Sequence, residues 1–321
     1  MIQRLNLSVR RRGACVVSVI GIAILFGVAP ANAGDPGEAA YSFLNIGTDA
    51  RAEGMGGAHT AVADGVGGVF YNPAALAEAI PGDFTASYVN WVTDIQSGFL
   101  AAVWGVGTRE RMAAAVQYLD FGDFRGFDPY GVPTADFGAS DFALAVHGAG
   151  MLGRGFHWGV AGRMISESID GESSIAFAAD AGVLYRLGDQ RTRVGAAVRN
   201  LGVQSSNFGS AEKDDLPITL RLGLSHSLRG MPLLMAADVF KPSDDDLSLA
   251  VGLEYAGLES ARFRVGYNTL VGKIDTNSDR DDFAGLTLGV GFILSRIAID
   301  YAYGSLSELG DAHRFTLRSG F

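Results

Sequence analysis

The sequence has few cysteines, few lysines and few charged residues. Cys15 is the single cysteine among 321 residues, so no disulfide framework is possible within the chain. Lysine occurs only at Lys213, Lys241 and Lys273, and 35 acidic against 25 basic residues give a net charge of −10. Proteins that bind nucleic acid need a basic face to contact phosphates. The acidic balance therefore excludes that class, and no nucleic-acid partner is expected.

Long apolar runs are confined to the N-terminus. Four arginines and no acidic residue precede the apolar run Ala14–Val28, and Ala31-Asn32-Ala33 follows as a cleavage signature. The run is shorter than the ~20 residues that a spanning helix needs. We therefore predict a cleaved signal peptide over residues 1–33 and export of the rest, with a single-pass anchor as the alternative. No later stretch approaches the length of a helical span.

From residue 83 onward the dominant pattern is strand alternation. In the stretch 247–255, large apolar residues occupy every second position, and Ser, Ala, Gly and Glu lie between them. A second face made of small residues and isolated charges is typical of a barrel lumen rather than of a surface in water. Such a face also explains the 44 glycines, because glycine is found where a barrel wall curves or where another backbone approaches it closely.

The alternation divides the C-terminal part into fourteen candidate strands. Linkers after odd strands, such as 121–139, 201–215 and 270–281, are long, whereas linkers after even strands are short, as in outer-membrane barrels. The chain also ends on an aromatic residue, Phe321. We predict an antiparallel outer-membrane β-barrel of about 14 strands over residues 83–321, with a large exported β-sandwich as the alternative. The candidate strands are 84–91, 97–106, 111–120, 140–151, 155–168, 172–187, 191–200, 216–228, 232–240, 246–256, 260–269, 282–293, 295–304 and 312–321.

Residues 34–82 lack this alternation and are rich in alanine and glycine. They predict a small N-terminal plug of short helices and turns inside the barrel, because a fourteen-stranded barrel has space that side chains alone need not fill. The Gly54-x-Gly56-Gly57 element has no preceding strand and no Gly-Lys-Ser/Thr ending, so a phosphate loop is not expected.

The segment Asp49–Ala58, followed by Ala61–Asp64 and Tyr71–Ala74, resembles the N-terminal region of the PorV/PorQ family, within the FadL-like group of outer-membrane barrels. The resemblance implies one of two non-enzymatic roles. PorV-like members are docking components of type IX protein secretion with exported cargo as partners, and this is the role we expect first. FadL-like members are channels for passive uptake of hydrophobic small molecules, which is the alternative; a purely structural barrel is a third possibility. The plug residues that would act structurally or in gating are Gly54, Gly56, Gly57, Asp64, Asn72, Pro73 and Ala74.

Several charged residues fall on the face opposite the bulky apolar one and are expected to point into the lumen. Opposite charges enclosed together typically hold wall to plug, since an unpaired buried charge is costly; lining a polar path is the other interpretation. The five histidines are scattered without a nucleophile motif, so neither an enzyme nor a cofactor is expected. The predicted lumen-facing charges are Arg163, Arg199, Arg221, Arg264, Asp180, Asp238, Glu254 and Asp300.

One acidic loop has oxygen ligands at alternate positions, Asp275, Asn277, Asp279 and Asp281, as calcium loops do. It departs from the EF-hand pattern, because Arg280 and Leu286 replace the required glycine and glutamate. The first interpretation is a solvated acidic loop. A hypothesis is that divalent cations bridge it to anionic lipopolysaccharide.

Overall fold

The computed structural model describes residues 40–153, 155–208, 214–274, 276 and 278–319. These residues form a closed barrel of fourteen antiparallel strands, which confirms the predicted fold class. The predicted signal peptide lies outside the described residues, as does Phe321. The strands are β1 (Phe84–Asn90), β2 (Gln96–Val106), β3 (Glu110–Phe124), β4 (Phe137–Leu152), β5 (Phe156–Ile169), β6 (Glu172–Arg186), β7 (Thr192–Ser206), β8 (Thr219–Ser227), β9 (Leu233–Pro242), β10 (Ser248–Tyr255), β11 (Ala261–Asn268), β12 (Leu286–Leu294), β13 (Ile297–Ser305) and β14 (Asp311–Ser319).

Each strand pairs with its neighbours in sequence, and β1 closes the barrel against β14 through pairs such as Thr85 with Arg318 and Tyr88 with Phe315. Closure leaves no free sheet edge, which is what a sheet surrounded by lipid requires. Connections after even strands are tight and define the short-turn end of the barrel. Connections after odd strands define the long-loop end, which includes the connections from β3 to β4, from β7 to β8 and from β11 to β12.

The outer wall is a band of exposed apolar side chains. Along β10, Ser248, Ala250, Gly252 and Glu254 are buried while the residues between them are exposed. An apolar band of this kind would aggregate in water and is accommodated by lipid. Outward residues of the band include Leu100, Val146, Val160, Phe177, Leu222, Val239, Val251, Val265, Leu288, Ile299 and Phe315.

Three strands differ from the sequence prediction by four or more residues at one end. Strand β3, predicted to end at 120, continues to Phe124 past a bulge between Asp120 and Asp123. Strand β7 continues past residue 200 because a bulge at Arg199–Asn200 opposite Asp180 resets the alternation. Strand β12 begins at Leu286 rather than at 282, because Asp279–Phe283 is a 3₁₀ helix that begins with a capping box at Ser278.

The plug, described here from residue 40 to residue 83, crosses the lumen from one end to the other. Tyr41 contacts Glu167 and Ser174 at the long-loop end, whereas Glu78 pairs with Arg186 at the short-turn end. The plug then leads directly into β1. Its helical segments are Ser42–Asn45, Ala50–Glu53, Gly65–Phe70 and Pro73–Glu78.

Further short helices lie in the loops, at Val92–Asp94, Val271–Lys273, Asp279–Phe283 and Ser307–Leu309. None of the helices in the described residues has both the length and the hydropathy needed to cross a membrane.

Candidate functional site

The plug lies directly against the wall where two neighbouring strands carry glycine. Gly252 of β10 and Gly266 of β11 are cross-strand partners. A Cβ atom on Gly252 would lie 2.4 Å from the carbonyl oxygen of Met55, and one on Gly266 would lie 2.2 Å from the amide nitrogen of Gly56. Any side chain here would push the plug away, so glycine is required by close backbone approach.

The same arrangement recurs on four other strands, at the partners Gly159 and Gly182 and at the partners Gly195 and Gly223. A Cβ on Gly182 would lie 2.1 Å from Oδ1 of Asn72, and one on Gly195 would lie 2.3 Å from a plug carbonyl oxygen. The space beside these wall glycines is therefore filled by plug backbone. We call these six residues the glycine belt: Gly159, Gly182, Gly195, Gly223, Gly252 and Gly266.

Asn72 and Pro73 of the predicted plug motif start a helix and join the plug to β6. The Asn72 side chain accepts a hydrogen bond from the amide of Ala74 at 3.0 Å. Its amide group donates to the carbonyl oxygens of Thr60 at 2.8 Å and Val183 at 3.1 Å. Pro73 occupies the first helical position, where its missing N–H costs nothing.

Gly54, Gly56 and Gly57 are buried in the turn that follows Ala50–Glu53. Gly56 and Gly57 have φ angles of +69° and +78°, a conformation that favours glycine. A Cβ on Gly54 would lie 3.0 Å from the Cα of Gly289 in β12. The three glycines therefore serve the turn and its contact with the wall.

Asp238 of β9 anchors the next plug turn. Its Oδ2 accepts hydrogen bonds from the amides of His59 at 3.0 Å and Thr60 at 2.9 Å. The Arg221 guanidinium lies 3.0 Å from the same oxygen and also donates to the Gly57 carbonyl at 2.8 Å. A buried wall carboxylate and its arginine thus hold the plug backbone.

Six buried or nearly buried residues near the short-turn end form a closed ring of alternating charge. Glu254 accepts two hydrogen bonds from Arg51, at 2.8 and 2.6 Å, and one from Arg264 at 2.6 Å. Arg264 reaches Asp300 at 2.6 Å, and Arg318 contacts Asp300 at 2.8 Å.

Asp64 completes this ring, since it pairs with Arg318 at 2.7 Å and with Arg51. Two members belong to the plug and four to β10, β11, β13 and β14. Every charge has two opposite neighbours, which offsets the cost of removing the charges from water. We call Arg51, Glu254, Arg264, Asp300, Arg318 and Asp64 the charge ring.

A second buried cluster surrounds the bulge in β7. Arg163 donates to Asp180 at 2.7 Å and to the Asn200 side chain at 2.8 Å. Asn200 has a φ angle of +58°, and its amide donates to Asp180 at 2.7 Å. Arg199 points inward as well and donates to the Leu44 carbonyl at 3.0 Å. The bulge thus buries two consecutive side chains, of which Arg199 contacts the plug.

The structure places all eight predicted lumen-facing charges in these buried clusters, but sequence reasoning missed Arg51 and Arg318 as partners. For Arg318 the signal was present: Phe315 and Leu317 are outward, so Arg318 shares the inward face with Arg314. For Arg51 no comparable signal exists, because the plug has no alternation.

Three spaces adjoin the plug among the described residues, and one of them, of about 30 Å³, lies between Glu53 and Gly56 of the plug and Trp91. A polar cavity of about 380 Å³ lies next to the charge ring, at the short-turn end, and is lined by four arginines and four carboxylates. The third space, a cavity of about 10 Å³, lies where Phe70 of the plug faces Phe99 of β2, with Ala115, Ala145 and His147 around it. It has room for about one water molecule. The plug therefore meets the wall here through mainly apolar side chains.

The acidic loop is held by hydrogen bonds within itself and to the neighbouring loop between β13 and β14. Asp281 accepts from the amides of Thr276 at 2.9 Å and Ser278 at 3.0 Å, and from the hydroxyl of Ser307. Asp275 and Asn277 lie outside the described residues, and Asp279 is exposed. Over the described ranges, no group of three or more His, Cys, Asp or Glu residues is placed to hold a metal ion.

Comparison with solved structures identifies proteins of the same fold. The toluene transporter TodX of Pseudomonas putida is 14% identical with a TM-score of 0.57, and the match covers 84% of this chain and 95% of TodX. The CymD monoaromatic hydrocarbon channel is 15% identical with a TM-score of 0.57 (86% and 98% covered). A FadL homologue of Pseudomonas aeruginosa is 14% identical with a TM-score of 0.54 (85% and 98% covered). No protein-family model and no curated protein matches the sequence.

Proposed function

We propose that the protein is a plugged outer-membrane channel for the passive entry of hydrophobic small molecules. The observation that carries this proposal is the contact of Phe70 with Phe99, where plug and wall meet through mainly apolar side chains around a small cavity. Displacement of the plug at this contact would open an apolar route through the barrel. The channels of the same fold, described as carrying toluene or monoaromatic hydrocarbons, support this substrate class.

The proposal includes the location and the processing of the chain. The signal peptide over residues 1–33 would be removed on export, leaving residues 34–82 as plug and residues 83–321 as barrel. The outward apolar band would contact outer-membrane lipid, and the long-loop end would face outside. We propose no catalytic role.

The test is entry of labelled toluene into Gram-negative cells whose lipopolysaccharide layer slows passive diffusion. Cells that produce the full chain are expected to take up toluene faster than cells without it. The matched control is the double variant Phe70→Cys and Phe99→Cys, with plug and wall joined at this contact by a short bismaleimide. Because Cys15, the single cysteine, lies in the proposed signal peptide, the link would be confined to this pair. Equal rates in producing, linked and empty cells would contradict the proposal.

A second candidate is a docking component of PorV/PorQ type for exported proteins. The observation that favours it is the loop 125–136, which exposes Phe127, Tyr130 and Val132 beyond the barrel wall, with Tyr130 91% exposed. A lumen filled by plug is also compatible with a role in which nothing passes through the barrel.

The docking candidate predicts that large exported proteins co-purify with the barrel from outer membranes. Replacing Phe127, Tyr130 and Val132 by serine should abolish co-purification while leaving toluene entry unchanged. Co-purification that survives this replacement would contradict a docking role for the loop.

A further inference from the structure

We infer that the site around Phe70 binds a monocyclic aromatic molecule carrying a hydroxyl group, with His147 as its hydrogen-bond partner. This inference rests on the proposed channel function and narrows its substrate class. Three features of the molecule support it: the surroundings of the Phe70 ring, the hydrogen-bonding state of His147 and the size of the wall residues beside them.

The Phe70 ring is contacted by two other aromatic rings and by an arginine side chain. Phe99 and Tyr71 contact it edge-on, with ring centroids 6.4 and 5.1 Å away. The guanidinium of Arg199 lies over its face, 4.1 Å from the centroid. Edge-on aromatic partners and a cation over the face are the contacts that stabilise any six-membered aromatic ring. A single-ring ligand that displaced Phe70 would make the same contacts.

The wall beside Phe70 carries small side chains. Ala115 of β3 and Ala143 and Ala145 of β4 line the cavity. Gln117 and Arg163 line it too, and both already have hydrogen-bond partners. Phe70 also ends the helix Gly65–Phe70, in which three of six residues are glycine. Glycine lowers the cost of a new backbone conformation. Phe70 can therefore leave the site by local rearrangement, without release of the charge ring.

His147 makes the site different from a purely apolar one. It lines the same cavity and is 2% exposed, and its Nδ1 atom has no hydrogen-bond partner among the described residues. A buried polar atom without a partner destabilises its surroundings, and a ligand that supplies the partner recovers that loss. Phe70, a hydrocarbon side chain, cannot supply it.

A hydroxyl group fits this requirement better than other small substituents. Nδ1 of a neutral imidazole is either a donor or an acceptor, depending on the tautomer, and a hydroxyl can act as either partner. Phenol therefore satisfies His147 in both tautomers, whereas toluene satisfies it in neither. The ratio of phenol entry to toluene entry therefore measures the contribution of the hydrogen bond to His147.

The experiment compares the entry of labelled phenol and labelled toluene into cells producing the full chain or a variant, each corrected for empty cells. The phenol-to-toluene ratio is expected to fall about tenfold in His147→Leu, the factor that one hydrogen bond is worth. The ratio should be kept within about twofold in His147→Gln, which retains hydrogen-bonding groups. His226→Leu is the matched control, since His226 bonds to Thr192 in the wall, away from this cavity.

The outcomes separate this inference from the proposed function. If neither molecule enters faster than in empty cells, the channel function itself fails. If both enter and the ratio is the same in His147→Leu as in the unaltered protein, the function stands and the inference is overturned. Direct binding to the purified, unaltered protein needs no variant: tighter binding of phenol than of toluene supports the inference, and equal or weaker binding overturns it.

Discussion

The guanidinium of Arg51 in the plug and the carboxylate of Glu254 in the wall form a bidentate ion pair, with contacts of 2.8 and 2.6 Å. Paired contacts of this type are the strong, direction-specific form of an arginine–carboxylate interaction. Arg51 also pairs with Asp64, and Glu254 also pairs with Arg264. This ion pair is therefore one link of the closed charge ring that joins the plug to the wall. Removing one charge therefore leaves two partners incompletely paired.

The first prediction concerns Glu254→Gln, which keeps the shape of the side chain and removes its charge. Arg51 and Arg264 would each lose an ionised partner in a buried place, and we expect a loss of about 3 kcal/mol in the stability of the docked plug. Hydrogen exchange of the amides of Ala50–Glu53 measures this, with faster exchange expected in the variant.

The control for this prediction is Arg280→Gln. Arg280 and Asp311 form an ion pair of 3.0 Å with side chains 48% and 31% exposed. An exposed pair contributes about 1 kcal/mol or less. Unchanged exchange over Ala50–Glu53 in both variants would show that the charge ring does not hold the plug.

The second prediction tests the glycine belt through Gly182→Ala. The new methyl carbon would lie 2.1 Å from Oδ1 of Asn72, so the Asn72 side chain must move and lose its bond to Val183. We expect a loss of about 1–3 kcal/mol, as for other overpacked sites.

The measurement for Gly182→Ala is the midpoint of unfolding in urea. Gly162→Ala is the matched control: Gly162 lies on β5, where an added Cβ meets nothing within 4 Å. Equal midpoints for the two variants would mean that the plug is not in contact with this part of the wall.

Much of the barrel was predictable because each strand carries its own signal. Alternation between a lipid-facing and an inward residue repeats in every strand, so strand number and closure followed from local sequence. The capping box at Ser278 was also recognisable in the sequence, as a Ser followed three residues later by Asp281. Because a capping box marks the start of a helix, it would have moved the predicted start of β12 beyond Phe283.

The contacts of the plug were not predictable, because they depend on register between distant segments. Asn72 contacts Gly182, which is 110 positions further along the chain, and Arg51 contacts Glu254, 203 positions further along. The sequence indicated inward charges and a glycine-rich inner face. It could not indicate that the missing side chains of the glycine belt would be replaced by plug backbone, nor that Arg199 and Asn200 would both turn inward at a bulge.

The third prediction concerns pH and the loop at the long-loop end. Hydrogen bonds from Ser307 and from the Ser278 backbone hold the pKa of the Asp281 carboxyl well below its ordinary range. A lowered pKa means that the contribution to stability is present above the ordinary value of about 4 and is lost as the pH falls toward the lowered value. We expect hydrogen exchange over Ser278–Ala284 to become faster below about pH 4, after correction for intrinsic rates.

Asp281→Asn should show this faster exchange already at neutral pH, because an amide group accepts fewer hydrogen bonds than a carboxylate. Asp279→Asn, at an exposed neighbour, is the control and should behave as the unaltered protein does. Exchange in Asp281→Asn that equals the control would rule out a role for this carboxylate in holding the loop.

The last prediction tests the membrane-facing wall with Leu222→Arg. Leu222 lies in the middle of β8, points outward and is 54% exposed, within the apolar band that we assign to lipid. An arginine near the bilayer midplane costs about 2–4 kcal/mol, so folding into lipid vesicles, followed by urea titration, should be less favourable by that amount. Leu247→Arg is the control, because Leu247 is exposed in the loop between β9 and β10, where a charge meets water and headgroups. If the two variants lose the same stability, Leu222 faces water rather than lipid, and the barrel does not sit in a membrane at this height.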